Sequence, residues 1–103
     1  MGELHKVAQT NDVPPGTGIA VDVGERRLAL FNVDGTFFAI DDTCPHSGAP
    51  LSEGDLEGAQ IVCPWHGATF DLADGSVQCP PAEEGVRCYR VEVEGEDIKI
   101  EIP

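Results

Sequence analysis

The chain has 103 residues, a formal net charge of −13 and only six basic residues. Its length suits a single domain, residues 1–103, and its acidity argues against nucleic acid and anionic membrane surfaces as partners. No apolar run is long enough to span a bilayer or to form a secretion signal, so we expect a cytoplasmic protein that does not contact a membrane.

The charges are unevenly distributed along the chain. All six basic residues lie outside positions 28–86, whereas that stretch carries ten carboxylates. Two interpretations stay open. The acidic stretch is either a solvated surface that keeps the protein soluble, or a docking face for a basic partner.

The first part of the chain has the pattern of short β-strands separated by turns. Apolar and β-branched residues favour strands at 4–8, 18–23, 27–33 and 36–40. The first of these is expected at the edge of a sheet. Asp34-Gly35 separates the last two, and this dipeptide is a strong signal for a β-hairpin.

The second part begins with turns and ends with strands. Residues 51–58 are turn-like and allow at most a short strand. Asp74-Gly75 is a second hairpin dipeptide, and Pro80-Pro81 excludes a central strand at that point because proline donates no backbone hydrogen bond. Strands are expected at 60–62, 69–72, 86–93 and 97–102.

The final pair of strands alternates apolar and polar residues, so one face of the pair should be buried. The residues expected to face a common core are Val91, Val93, Ile98, Ile100 and Ile102. No helical period persists anywhere in the chain. We therefore predict an all-β domain in which residues 1–41 and 79–103 form a sheet-based body and residues 42–78 are inserted as a metal-binding lobe.

Two short loops carry soft metal donors. Each loop offers one thiolate and one imidazole, in the segments Cys44-Pro45-His46 and Cys63-Pro64-Trp65-His66. Two cysteines and two histidines also make a tetrahedral zinc site, but zinc loops usually pair cysteine with cysteine and histidine with histidine. The mixed pairing suits a two-iron cluster, with thiolates on one iron and imidazoles on the other.

The two loops and their flanks resemble the cluster loops of Rieske [2Fe-2S] proteins, and the resemblance covers nearly the whole chain. The segments that carry it are Cys44-Pro45-His46-Ser47-Gly48, Leu51-Ser52-Glu53-Gly54, Cys63-Pro64-Trp65-His66-Gly67 and Phe70-Asp71. The resemblance implies a Rieske-like fold, with a small antiparallel β-sandwich or barrel body that carries a cluster-binding lobe.

The resemblance also implies a ligand set for one [2Fe-2S] cluster per chain. Cys44 and Cys63 would bind one iron through sulfur, and His46 and His66 would bind the other through Nδ1. The Nε2 edges of both imidazoles would then lie at the surface, where electrons enter and leave.

Four positions beside the ligands depart from the Rieske proteins of cytochrome bc-type complexes. Those proteins have a disulfide between the loops and two hydroxyls that donate hydrogen bonds to sulfur, but the matching residues here are Ala49, Trp65, Ala68 and Phe70. Donors to the sulfurs stabilise the reduced cluster, and nearby carboxylates disfavour it. The reduction potential is therefore expected near or below the low end of the Rieske range, about −150 mV.

These features are typical of the soluble ferredoxins of bacterial ring-hydroxylating dioxygenases, which are electron carriers and not enzymes. The resemblance implies a monomeric carrier that contacts two partners transiently near His46 and His66. One is a flavin-dependent reductase that uses NAD(P)H, and the other is a terminal oxygenase. Acidic residues at 41–57 would help orient both partners. The alternatives are the small Rieske-like subunit of an assimilatory nitrite reductase and a zinc-stabilised interaction module.

Two further cysteines are not placed like ligands. Cys79 precedes two prolines, and Cys88 lies within a predicted strand. Each is interpreted as a small buried apolar residue, with a disulfide between the two as the alternative.

Overall fold

The computed structural model of the chain describes residues 3–24, 26–43, 50–64, 69–72, 77–79 and 87–102, with the backbone alone for 77–79. Within these ranges the regular elements are β-strands and two single-turn 3₁₀ helices, so the prediction of an all-β fold is confirmed. None of the helices in the described ranges is long and apolar enough to cross a membrane.

The strands, in chain order, are β1 (Glu3–Gln9), β2 (Thr17–Val23), β3 (Arg26–Val33), β4 (Thr36–Asp41), β5 (Asp55–Glu57), β6 (Gln60–Val62), β7 (Thr69–Asp71), β8 (Val77–Cys79), β9 (Cys88–Tyr89), β10 (Val91–Glu94) and β11 (Asp97–Ile102). The 3₁₀ helices are Thr10–Asp12 and Leu51–Glu53.

The strands form three antiparallel sheets. The base sheet has the order β1-β11-β10, the central sheet has the order β2-β3-β4-β9, and the lobe sheet has the order β5-β6-β7-β8. β1 is an edge strand, as predicted, and β8 ends at the edge of the lobe sheet just before the two prolines. The division into a body and an inserted lobe at 42–78 stays a prediction; the lobe-sheet strands fall between residues 55 and 79.

The central sheet is covered on both faces, and β3 shows this most directly. Every residue from 28 to 32 is buried, because alternate side chains of this apolar run enter two different cores. Leu28 and Leu30 enter the base core, which consists of Val13, Val21, Val23, Leu28, Leu30, Ala39, Tyr89, Ile98 and Ile100. Ala29 and Phe31 enter the lobe core, which consists of Ala29, Phe31, Ile40, Leu51, Ile61, Cys63, Phe70 and Leu72.

The hairpin predicted at Asp34-Gly35 is confirmed. Val33 pairs with Thr36, so the turn between them has two residues. Asp34 has a φ of 52° and Gly35 a φ of 93°, and two successive positive φ angles are the requirement of a type I′ turn. Asp74-Gly75 lies outside the described residues, but β7 and β8 pair antiparallel on either side of it.

The single strand predicted at 86–93 is wrong in one respect, because the structure divides it between two sheets. β9 pairs with the end of β4, and β10 pairs with β11 after Arg90. The backbone oxygen of Arg87 accepts a hydrogen bond from Asp41, whereas the backbone oxygen of Arg90 accepts one from Glu101. A run of alternating residues does not reveal this change of hydrogen-bond partner.

The expectation of a common core for the last two strands holds for most of its residues and is wrong for Val93. Ile98 and Ile100 are fully buried in the base core, and Val91 and Ile102 pack against it. Val93 is 45% exposed, although its cross-strand partner Ile98 is fully buried. It lies on the edge strand β10, where the base core does not reach it.

We predict that Gly54→Ala destabilises the fold. A Cβ atom at Gly54 would lie 2.1 Å from the backbone oxygen of Val62, which cannot rotate away. We expect the free energy of unfolding, measured by chemical denaturation, to fall by about 1–3 kcal/mol. The φ angle of Gly54 is −76°, which suits any residue, so unchanged or increased stability would contradict the close packing of Gly54 on β6.

Candidate metal centre

The second loop of the predicted site starts where β6 ends. Val62 pairs with Thr69, so residues 63–68 connect β6 to β7 across a closed stem. Cys63 is 2% exposed and lies in the lobe core with Ile61 and Phe70. The structure therefore places one predicted ligand in an apolar surrounding, whereas Trp65, His66 and Ala68 lie outside the described residues.

The first loop has a closed stem as well. Thr43 and Pro50 form an isolated antiparallel bridge, so the residues before and after the segment 44–49 lie side by side. The backbone N–H of Leu51 donates to the backbone oxygen of Asp42, one step further down the stem. Cys44, His46 and Ala49 belong to this loop and lie outside the described residues.

The stems of the two loops meet in one place. Leu51 follows the first loop and is fully buried in the lobe core, where Cys63 and Phe70 also lie. Gly54 lies directly against the backbone of Val62, which precedes Cys63. The chain thus brings the stems of the two predicted ligand loops together beside the lobe core, and three of the four predicted ligands lie outside the described residues.

The sequence analysis missed the role of Asp42 at the first stem. Its carboxylate is 2% exposed: Oδ1 accepts the Ser52 N–H at 2.8 Å and Oδ2 accepts Arg27 Nε–H at 2.9 Å. A buried charge needs such partners. One signal was available, because alternation along β4 continues the inward face of Ile40 to Asp42, but Arg27 as the partner was not visible locally.

The neighbouring Asp41 belongs to a different network. The Tyr89 hydroxyl donates to Asp41 Oδ1 at 2.7 Å and accepts from Arg26 Nη1 at 3.0 Å. Burial and the adjacent Asp41 carboxylate raise the pKa of the Tyr89 phenol above its ordinary value, so the group stays neutral and donates near pH 7. Asp41 and Asp42 are therefore both engaged within the fold and do not contribute free carboxylates to a docking surface.

Three acidic residues of the 41–57 stretch do face solvent. Glu53, Asp55 and Glu57 are exposed, and in the described part of the chain none of them takes part in an ion pair. Asp55 and Glu57 project from edge strand β5 on either side of Leu56, which packs against the lobe core. We call these three residues the acidic face.

The two remaining cysteines are only partly described. Cys88 is exposed and is not in a disulfide, so the buried interpretation is wrong for Cys88 and the Cys79–Cys88 disulfide is wrong; burial of Cys79 stays a prediction. Cys88 lies on β9, the two-residue strand at the edge of the central sheet, and its side chain is exposed there. The side chain of Cys79 lies outside the described part of the chain.

The comparison with known families decides the class of protein. The sequence model described as Rieske [2Fe-2S] domain matches residues 3–90. The chain belongs to this family. A [2Fe-2S] cluster is therefore the implied cofactor, and the buried, apolar position of Cys63 fits a sulfur ligand to such a cluster.

The relatives of this Rieske chain are electron-transfer components. The 3-phenylpropionate/cinnamic acid dioxygenase ferredoxin subunit of Shigella boydii serotype 4 (strain Sb227) is 46% identical over 93 residues, which cover 89% of this chain and 87% of the relative. The interpretation of the chain as an electron carrier and not an enzyme agrees with that relative.

Two solved structures share the fold. The complex of reduced oxygenase and oxidized ferredoxin in carbazole 1,9a-dioxygenase contains a chain with a TM-score of 0.89 and 36% identity, covering 95% of this chain and 92% of that one. A putative NADH-dependent nitrite reductase small subunit from Mycobacterium tuberculosis has a TM-score of 0.91 and 25% identity, covering 100% and 97%. The predicted Rieske-like fold is confirmed.

We predict that Phe70→Tyr raises the reduction potential of the cluster-loaded protein. Phe70 is fully buried in the lobe core that holds Cys63, and in related Rieske proteins a tyrosine at this position donates to a ligand sulfur. A hydrogen bond that strengthens by about 1 kcal/mol on reduction raises a one-electron potential by about 40 mV.

Protein-film voltammetry measures this shift. Phe38→Tyr is the control, because Phe38 packs against the same core from β4. The substitution adds a hydroxyl near the start of β4, whereas the first loop stem follows the end of this strand. An upward shift in the Phe38 variant alone, or in neither variant, would contradict the argument that the missing hydroxyl lowers the potential.

Proposed function

We propose that this chain is a low-potential one-electron carrier that passes electrons from an NAD(P)H-dependent flavin reductase to a terminal Rieske oxygenase. The observation that carries the proposal is the 46% identity to a dioxygenase ferredoxin subunit over 87% of that relative's length. A shared catalytic domain would not give this result, because the match spans nearly all of a protein named as a ferredoxin.

The proposed ligands are Cys44 and Cys63 on one iron and His46 and His66 on the other. Support comes from the two closed stems, which meet beside the lobe core, and from the burial of the Cys63 side chain. The bound cluster would accept and release one electron at a time. The protein itself closes the stems of the ligand loops and keeps water from Cys63. The imidazole edges of His46 and His66 are the proposed exit for the electron.

The charge of the chain supports a low potential. Positions 28–86 contain no lysine or arginine, so the carboxylates of the lobe sheet have no basic neighbour in sequence. Such a field disfavours the addition of an electron, and Phe70 offers no hydroxyl to offset it. A carrier of this kind accepts electrons from a reduced flavin and is a poor oxidant for quinol.

The acidic face is the proposed site of electrostatic steering toward both partners. Asp55 and Glu57 lie on β5 and Glu53 lies just before it, in the segment between the two loop stems. Steering by charge speeds encounter without requiring a large interface, which suits a shuttle that must dissociate after each electron.

The proposed carrier is a monomer in the cytoplasm. The exposed Cys88 thiol supports a reducing compartment, where such a group persists without forming a disulfide. The engaged Asp41 and Asp42 leave the acidic face as a small patch, which favours brief contacts over a permanent assembly.

A second candidate is the small subunit of a nitrite reductase, favoured by the similar fold of the Mycobacterium tuberculosis protein. That role requires a stable complex with a large subunit. Size-exclusion chromatography of the chain, co-expressed with the genes that lie beside its own, separates the two candidates. The carrier elutes alone, whereas a permanent subunit elutes with its partner.

We predict that the purified chain is red-brown, with about two iron and two labile sulfide per chain and the electron paramagnetic resonance signal of a Rieske cluster. Cys44→Ser and His66→Cys should each abolish or alter that signal. Cys88→Ser is the control and should keep it, because the exposed Cys88 is not among the proposed ligands.

Two results would contradict the ligand set. The first is a colourless, zinc-loaded protein that is fully folded. The second is an unchanged Rieske signal in either ligand variant.

We predict that neutralising the acidic face slows electron delivery. The combined variant Glu53→Gln, Asp55→Asn, Glu57→Gln should react about tenfold more slowly at low salt, and its rate should depend less on salt, because steering is lost. Stopped-flow measurement of electron transfer from an NAD(P)H-dependent flavin reductase to the chain, and from the chain to a terminal Rieske oxygenase, tests this.

The matched control removes three carboxylates from the base sheet and its final turn, in the variant Glu3→Gln, Glu94→Gln, Glu96→Gln. The change in net charge is the same; the control carboxylates differ in location, and two of them have partners, since Glu94 pairs with Lys99 and Glu3 lies 3.8 Å from His5. Equal slowing by both variants would show that net charge matters and that the acidic face has no special role.

A further inference from the structure

We propose that Asp42, together with Arg27, is a positioning pair for the first ligand loop, which fixes the stem before Cys44 and sets the charge beside the cluster. The inference rests on the proposed ligand set. It concerns two side chains that neither the cysteine and histidine motif nor its flanks include.

The first argument is the set of hydrogen bonds that converge on Asp42. Its backbone oxygen accepts the Leu51 N–H and its carboxylate Oδ1 accepts the Ser52 N–H at 2.8 Å. Asp42 lies before the loop, and these two amides lie after it. One residue therefore ties together both ends of the segment 44–49, next to the bridge between Thr43 and Pro50.

The second argument is the link to the central sheet. The Asp42 N–H donates to the backbone oxygen of Arg27 at 3.1 Å, and Arg27 Nε–H donates to Asp42 Oδ2 at 2.9 Å. Because β3 is buried on both faces, it is a rigid support. Asp42 thus links the firmly packed strand β3 to the stem of the first loop.

Burying the Asp42 carboxylate costs hydration free energy. The Asp42 side chain is 2% exposed, so it has lost nearly all of its hydration, while Arg27 is 60% exposed and remains solvated. A buried carboxylate in such an ion pair adds little stability compared with an apolar residue of the same volume. Its contribution is better explained by the geometry and the charge that it imposes on the neighbouring loop.

The charge has a definite sign at this place. Asp42 precedes Cys44 by two residues, so chain connectivity keeps their Cα atoms within about 7.6 Å. A fixed negative charge so close in the chain to a proposed ligand opposes the electron that reduction adds, and the guanidinium of Arg27 that pairs with it offsets part of this effect. Removing Asp42 or Arg27 should therefore move the reduction potential in opposite directions.

Three variants of the cluster-loaded chain test the pair. Asp42→Asn keeps an oxygen for the Ser52 amide and removes the charge, so the potential should rise with little change in the Rieske resonance signal. Arg27→Gln removes the offsetting cation, so the potential should fall. Asp42→Ala removes charge and acceptor together, and the iron content per chain should fall at least twofold.

The control is Glu94→Gln. Glu94 is also an ion-paired carboxylate, 2.8 Å from Lys99, but it belongs to the base sheet, which contains neither loop stem. Its loss should leave both the potential and the iron content unchanged. A rise equal to that of Asp42→Asn would assign the effect to net charge and overturn the proposal.

The outcomes separate this inference from the proposed function. A wild-type chain without a Rieske signal would refute the ligand set itself. A normal wild type whose Asp42→Asn and Arg27→Gln variants shift the potential in the same direction, or not at all, would overturn the positioning pair alone. If Asp42→Ala fails to fold, these two variants still decide the result, and full iron content in a folded Asp42→Ala would also overturn it.

Discussion

The packing of the lobe sheet onto the central sheet is the constraint on which the candidate metal centre depends. Phe31 and Ile40 supply the central sheet's side of the lobe core, and Leu51, Cys63 and Phe70 supply the side next to the two loops. Because β3 is also buried on its other face, the central sheet cannot yield without disturbing the base core. The stems of the two loops therefore rest on a layer that is fixed from both sides, which suits a redox centre whose ligands must hold their positions in two charge states.

The carboxylates near the candidate centre form two groups with different roles. Asp41 and Asp42, at the end of β4, accept hydrogen bonds from a hydroxyl, an amide and a guanidinium. The acidic face is exposed and has no cation in its stretch of sequence. Asp42 can fix a loop stem because it is buried with its partners, and the acidic face can attract a partner because it is solvated.

Residue patterns predicted the elements whose cause is local. The type I′ turn at Asp34-Gly35 follows from two residues that tolerate positive φ, and the short strand Gln60–Val62 follows from its apolar content between turns. The change of sheet at Arg90 and the exposure of Val93 were not predictable, because alternation shows which face a side chain takes and not what covers that face. The same limit applied to the site. The two members of each predicted ligand pair lie within three residues of each other, whereas Asp42 and Arg27 are brought together only by the fold.

The surroundings of the candidate centre act on its potential in the same sense. Phe70 places a ring without a hydroxyl in the core that holds Cys63, and no lysine or arginine occurs from position 28 to 86. Among the described residues, the cation that the structure places against the first loop stem is Arg27, and it is already paired with the buried Asp42. An electron added to the candidate centre thus gains little from fixed positive charge, so reduction requires a strong donor. The same arrangement makes the reduced chain ready to give its electron up, which is what an oxygenase requires of its carrier.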